Sequence, residues 1–165
     1  MHRWIAIAFV GLVASPAAAS GCFGAGEPLF HCTLKNGTRA LDVCLQDDVG
    51  IYRYGPPGAA PELLLAQRVE RMFMWPWNGV GSSIYEEVGF SNGDVDYTVY
   101  YSVSRIAADE PDVEGGIRVT KADQTLAELA CDPGSVDARE FYPVYEAKEA
   151  KGQCWDRNAF SWGAC

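Results

Sequence analysis

The side chains able to do chemistry here are mostly carboxylates. Glu86 and Glu87 fall in a predicted strand, Asp94 and Asp96 follow a turn, and Asp109, Glu110, Asp112 and Glu114 crowd one loop. A pair of carboxylates at a set separation is all that glycoside hydrolysis requires. Adjacent strand residues point to opposite faces, however, and sequential loop acids are solvated, so neither set makes such a pair. The loop also lacks the D-x-D-x-D-G spacing of a calcium site. His31 is the one histidine beyond residue 2, and it stands beside Cys32 inside a predicted strand. A lone strand histidine next to a structural cysteine reads as packing, because a base needs a nucleophile and an orienting partner around it. No H-E-x-x-H, no His/Cys cluster at zinc spacing and no Gly-rich phosphate loop occurs. The expectation is a non-enzymatic chain that uses no metal and no cofactor.

Positioning falls to strands. The pattern centres on Gly79 to Ser104, where Ser83–Phe90 and Val95–Ser104 flank Ser91-Asn92-Gly93-Asp94. Asn-Gly between apolar runs is the strongest short-range hairpin signal. In the second segment Tyr97, Val99, Tyr101 and Val103 share one face, and Asp96, Thr98, Tyr100, Ser102 and Ser104 the other, the period of a half-buried strand. Leu29–Leu34 and Arg39–Leu45 make a first hairpin around Asn36-Gly37. With a two-residue turn there, Cys32 faces Leu41 and lies three positions out of register with Cys44, so a Cys32–Cys44 bridge is geometrically awkward. Ile51–Tyr54 and Glu62–Arg68 form a second hairpin across Gly55-Pro56-Pro57-Gly58, and Ile117–Thr120 with Thr125–Cys131 a last one. Met72–Trp77, MFMWPW, holds Pro76, which blocks a central strand. It is either a flap over the end of the core or a contact patch anchored by Trp75 and Trp77. From Ser135 the period of two is lost; Val144–Lys151 suits a short helix, and Cys154 to Cys165 a tail pinned by its own bridge.

Residues 1–19 read as a secretory signal, with basic His2 and Arg3, an apolar run from Trp4 to Ala14, and a small-residue cleavage site at Pro16-Ala17-Ala18-Ala19. The run is too short to span a bilayer, so no membrane span is expected. Ala19-Ser20-Gly21-Cys22 loosely matches a lipid-attachment pattern. A lipid anchor at Cys22 is nonetheless disfavoured, because it would leave an odd number of cysteines. Six cysteines in an exported chain, Cys22, Cys32, Cys44, Cys131, Cys154 and Cys165, read as three disulfides. Of the 165 residues, 146 follow the signal, enough for one domain. That places a folded body at 20–134 and an extension at 135–165. Arg3 leaves with the signal, so 12 Lys and Arg face 22 Asp and Glu, a net charge of −10. Such a surface repels phosphate backbones and anionic headgroups and attracts cationic proteins, which argues against nucleic-acid and membrane-surface partners.

The features also fall in a known order: Phe30-His31-Cys32, Leu41-Asp42-Val43, Gly50-Ile51-Tyr52-Arg53-Tyr54, Leu63-Leu64-Leu65, Gly81-Ser82-Ser83-Ile84-Tyr85, Phe90-Ser91-Asn92-Gly93-Asp94, Tyr97-Thr98-Val99-Tyr100 and Leu129-Ala130-Cys131. Over roughly residues 28–133 the chain resembles the bacterial periplasmic and membrane-bound inhibitors of c-type lysozyme. The resemblance implies an all-β fold, a small antiparallel β-barrel of about eight strands, here followed by an irregular C-terminal extension. It implies a bridge from Cys32 to Cys131, leaving Cys22–Cys44 and Cys154–Cys165 as the remaining pairs by elimination and proximity. It further implies a periplasmic or secreted protein that blocks a cationic lysozyme-type muramidase. In that family a Ser-Gly-x-Arg-Tyr loop, with a basic residue nearby, occupies the two catalytic carboxylates of the enzyme. Here Ser82, Ser83 and Tyr85 stand in the loop, Ile84 takes the place of the Arg, and Arg105 or Lys121 would supply the cation. The alternative role is an envelope-associated binding module that contacts a glycan or another envelope protein through Trp75 and Trp77.

Overall fold

The computed structural model describes residues 22, 26–106, 113–122, 124–137 and 139–165. The signal segment, the lipid-attachment pattern before Cys22, and Asp109 to Asp112 of the acidic loop lie outside the described residues. Strands β1 (Glu27–Leu34), β2 (Arg39–Gln46), β3 (Val49–Gly55) and β4 (Leu63–Arg68) pair in sequence order into one antiparallel sheet. A single 3-10 turn, Val69–Arg71, leads into a second antiparallel sheet of β5 (Phe73–Trp75), β6 (Ser83–Asn92), β7 (Val95–Ser104), β8 (Val113–Lys121) and β9 (Gln124–Ala130). Helix α1 (Tyr142–Ala150) and a hairpin of β10 (Gln153–Asp156) and β11 (Ser161–Ala164) complete the chain. The fold is thus mostly antiparallel β, and three disulfides fasten it: Cys22–Cys44, Cys32–Cys131 and Cys154–Cys165.

Strand alternation builds the core. Leu41 and Val43 of β2, Tyr52 of β3, Val88 and Phe90 of β6, Val99 and Tyr101 of β7 and Ile117 of β8 are buried in one cluster. Tyr52 joins the sheets, its ring 5.7 Å from both Phe90 and Tyr97. On β7 the residues expected to face inward do so, with Val99 and Tyr101 buried and Tyr97 and Val103 packed against them. The first hairpin keeps the anticipated register, Cys32 opposite Leu41. In the central hairpin β6 runs on to Asn92, which pairs with Val95, so the turn is Gly93-Asp94 rather than Asn92-Gly93.

The segment after β9 is irregular but not loose. Cys131 N donates to Gly115 O at 2.8 Å, and Asp132, Asp137 and Glu140 N donate to Thr33, His31 and Leu29 O at 2.8, 3.0 and 2.8 Å. These bonds occupy the open edge of β1, which would otherwise be free to pair with another chain. Asp132 also accepts from Asn36 N and Gly37 N at 2.9 and 2.7 Å, which holds the first turn closed. Beyond this strap the extension is regular. Phe141 and Val144 are fully buried in the common core, and Trp162 Nε1 donates to Met74 O at 2.8 Å. Among the described residues no helix is long and apolar enough to cross a membrane.

Candidate functional site

The Ser82 region is shaped by two strands and two glycines. Because Ser83 pairs with Ser104, the residues that follow outward, Ser82 and Arg105, also meet, and Arg105 N donates to Ser82 O at 2.8 Å. Gly79 and Gly81 have φ of +86° and +100°, left-handed values that side-chain-bearing residues resist, so the Asn78–Ser82 loop can turn this sharply. Val80 N donates to Asn78 Oδ1 at 3.0 Å and Trp77 Nε1 to Val80 O at 3.3 Å. The Arg105 guanidinium closes the arrangement. Its Nη1 donates to Gly81 O at 3.0 Å and its carbon lies 4.9 Å from the centre of the Trp77 ring. Val80 and Ile106, 68% and 71% exposed, form the tip. The result is an exposed loop that sets Ser82 next to Arg105, whose guanidinium pairs with no carboxylate among the described residues.

Other candidate residues go elsewhere. Ile84 turns inward and packs on the core. Tyr85 lies on the outer face of the second sheet, bonded to Glu87 and stacked on Tyr100 at 6.2 Å. Arg118 joins the same network, 3.4 Å from Glu87 and 3.5 Å from Glu128. Burial and the neighbouring Glu87 push the Tyr85 hydroxyl far above its ordinary pKa, so it stays a neutral donor. Lys121 pairs with Asp94 at 2.8 Å and lies opposite Val95, at the far end of β7 from Ser104. That end is roughly 30 Å away at about 3.3 Å per strand residue, so Arg105 and not Lys121 is the cation beside Ser82.

Trp75 and Trp77 have different ring partners. Trp75 is stacked on Phe160 at 5.3 Å and meets Trp155 edge-on at 5.7 Å, covered by the β10–β11 hairpin, while Trp77 belongs to the loop. Met72, Met74 and Pro76, alternating with these rings, are buried, and Phe73–Trp75 is an edge strand that Pro76 terminates.

The acids and the histidine are engaged in the fold. Glu86 and Glu87 do point to opposite faces: Glu86 is 7% exposed and accepts Tyr101 Oη at 2.6 Å, while Glu87 bonds on the outer face. His31 Nδ1 is 2.6 Å from Asp42 Oδ1, and Asp42 Oδ2 accepts Arg53 Nη1 at 3.2 Å. The hydrogen bond to Asp42 raises the His31 pKa against the opposing effect of burial. The chain does carry one serine at hydrolase spacing, Gly89-Phe90-Ser91-Asn92-Gly93. It runs into the β6–β7 hairpin rather than into a helix, and Ser91 Oγ donates to Asp96 Oδ1 at 2.6 Å, so it is not a nucleophile elbow. Among the described residues no cluster of three His, Cys, Asp or Glu could hold a metal ion.

Fold and loop together define a disulfide-fastened, mostly antiparallel β protein that presents an exposed serine and a cation at one turn. The chain matches no protein-family model, no curated protein and no solved structure.

Proposed function

We propose that this chain is an exported, non-enzymatic protein that binds and blocks a lysozyme-type muramidase, with the Asn78–Ser82 loop and Arg105 as the part that enters the enzyme's cleft. The observation that carries the reading is Arg105. The lysozyme-inhibitor pattern needs a cation at the loop, Ile84 cannot provide it, and Arg105 stands there, bonded to Gly81 O at 3.0 Å and backed by Trp77. A hydroxyl and a guanidinium beside two carboxylates satisfy the hydrogen bonds and charge that the substrate would meet. The Arg105 N to Ser82 O, Arg105 Nη1 to Gly81 O and Val80 N to Asn78 Oδ1 bonds restrain the loop before binding, which offsets the freedom of its two glycines and limits the ordering entropy lost on contact.

The same resemblance leads us to read the two sheets as the halves of an eight-stranded barrel, β1–β4 and β6–β9. The strap along β1 and the Cys32–Cys131 bridge support this, because both tie the first of these strands to the exit of the last. An acidic surface, with 22 Asp and Glu against 12 Lys and Arg once the signal is removed, speeds encounter with a cationic enzyme, and Arg105 then meets the enzyme's acidic cleft.

Turbidimetric lysis of bacterial cell walls tests the proposal. The oxidised protein should slow at least one of the c-, g- and i-type lysozymes, and Arg105→Ala should weaken that inhibition by roughly 10- to 100-fold, the cost of removing a charge-assisted contact of about 1.5–3 kcal/mol. Unchanged lysis by all three types at a large molar excess would exclude inhibition as the role.

A further inference from the structure

A second feature lies beside the loop and shares Trp77 and Asn78 with it. A cavity of about 270 Å³ opens between β6, the first turn of α1 and the β10–β11 hairpin, walled by Trp77, Trp155, Tyr142 and Tyr145. Tyr142 and Tyr145 stand parallel with centres 5.5 Å apart. Glu86 lies at the base and Arg157 also lines the space. Glu86 is more than nine-tenths buried, and only one of its oxygens is used by the fold: Oε2 accepts Tyr101 Oη at 2.6 Å. Its other oxygen bonds to no described residue. That oxygen is not enclosed by the fold, since the enclosed side-chain oxygen without a partner among the described residues is Glu70 Oε2; it opens on the cavity, where it can accept from a ligand.

We infer that this cavity is a binding site for a neutral sugar ring. The aromatic walls offer apolar faces to the C–H faces of a pyranose, the free Glu86 oxygen accepts a hydroxyl, and Arg157 donates to one. The volume lies at the small end of ligand cavities, which suits a single ring rather than an extended chain. Charge excludes the other ligands that an aromatic box suggests. An organic cation would meet Glu86 but also Arg157 and the positive N-terminal end of α1, whose first residue Tyr142 lines the cavity. An anion would meet Arg157 and that helix end but lie against a buried carboxylate. Positive and negative groups nearly cancel, and a polyhydroxyl ligand uses both.

Intrinsic tryptophan fluorescence and calorimetry on the full oxidised chain, with no lysozyme present, test this. The probes are the disaccharide of N-acetylglucosamine and cellobiose, with tetramethylammonium and acetate as charged comparators. The expected result is a saturable change in emission with one or both sugars at millimolar concentration and none with either ion. Tyr142→Ala removes one half-exposed wall and should weaken sugar binding about 3- to 10-fold, the share of one aromatic contact. Glu86→Gln keeps the shape and loses the charge, and should weaken it further while near-ultraviolet circular dichroism stays unchanged. Tighter binding of tetramethylammonium than of either sugar would overturn the inference, as would no response to both sugars or equal affinity in the Tyr142 variant. Because no enzyme is in the assay, either outcome leaves the lysis experiment standing on its own.

Discussion

Removing the Cys32–Cys131 bridge should cost more than removing either of the others. The three pairs are separated by 99, 22 and 11 residues for Cys32–Cys131, Cys22–Cys44 and Cys154–Cys165. Loop-closure entropy then assigns them about 4.7, 3.4 and 2.8 kcal/mol at 25 °C. Two structural terms add to the first. Cys32 is fully buried, so truncation leaves a void, and the strap that covers the β1 edge begins at Cys131. Against a total stability of roughly 5–15 kcal/mol, this one bridge is a large fraction. The double variant Cys32→Ala/Cys131→Ala should therefore lose about 2–3 M in urea midpoint at a slope of roughly 1.5–2 kcal/mol per molar. The Cys154→Ala/Cys165→Ala variant should lose about half as much. Urea titration followed by tryptophan emission measures both. A midpoint for the Cys32/Cys131 variant within about 0.5 M of the parent, or below-parent stability greater in the Cys154/Cys165 variant, would refute the claim that the first bridge ties the ends of the core together.

Two further outcomes follow from buried groups. Lys148 is 1% exposed, its Nζ 3.2 Å from Gln153 Oε1 and 5.1 Å from the centre of the Trp162 ring, and burial pushes its pKa down to about 8 although Glu70 opposes this. Its folded value lies below its unfolded one, so the protonated form is the destabilised one: the penalty is full below pH 8 and fades as pH rises to the unfolded value. Lys148 alone should add about 2–3 kcal/mol between pH 8 and 10, each pKa unit being worth about 1.4 kcal/mol. Tyr52, Tyr85, Tyr100, Tyr101 and Tyr145 have raised values and oppose this rise as pH nears 10, so the Lys148 contribution is the difference between the parent and a variant lacking the amine. Urea titrations of Lys148→Met at both pH values should show that contribution gone; an identical pH dependence in the variant sinks the assignment. At Gly116 a Cβ would lie 2.5 Å from Leu129 O and 2.8 Å from Tyr100 Oη, whereas at Gly163 it would meet nothing within 4 Å. Gly116→Ala should cost about 1–3 kcal/mol and Gly163→Ala less than about 0.5, and equal melting curves would contradict the close packing of β8 on β7 and β9.

Much of the fold is written in short-range pattern. The alternation of β7 and the register of the first hairpin are local, and they survive into the structure, the hairpin register from Phe30 onward, with a shift between Pro28 and Phe30. The departures come from long-range packing. Gly115 and Gly116 hide the start of β8, because glycine carries no strand signal; they are there because Phe30 and Tyr100 press on them, within 3.0 and 2.8 Å of the missing Cβ atoms. Helix α1 starts at Tyr142 with Pro143 in its first turn, a proline that reads as a break unless its position at a helix start is recognised. The final hairpin rests on Asp156, whose Oδ1 accepts from Asn158 and Ala159 N at 2.8 and 3.0 Å. At the loop, sequence left Arg105 and Lys121 as alternatives, since only the full β6–β7–β8 register shows that they lie at opposite ends. Strand parity alone puts Glu86 on the inner face with Val88 and Phe90. Its partner Tyr101 and the rings around it come from elements as far as 70 residues away, so the cavity has no local signature.

Trp77 is where the loop and the cavity meet. Its ring receives Arg105, its Nε1 donates to Val80 O, and it walls the space above Glu86. A ligand seated in the cavity can therefore act on the loop through that ring and through Asn78, which also lines the cavity and whose Oδ1 accepts Val80 N at 3.0 Å. A cation–π contact at an exposed site is worth about 0.5–1 kcal/mol, so the part of the coupling carried by the ring is roughly 2- to 5-fold in affinity. The loop also keeps its shape by other means, since the Arg105 N to Ser82 O bond and the β6–β7 register pass through neither Trp77 nor Asn78. A sugar in the cavity would therefore adjust the grip of the loop without switching it off.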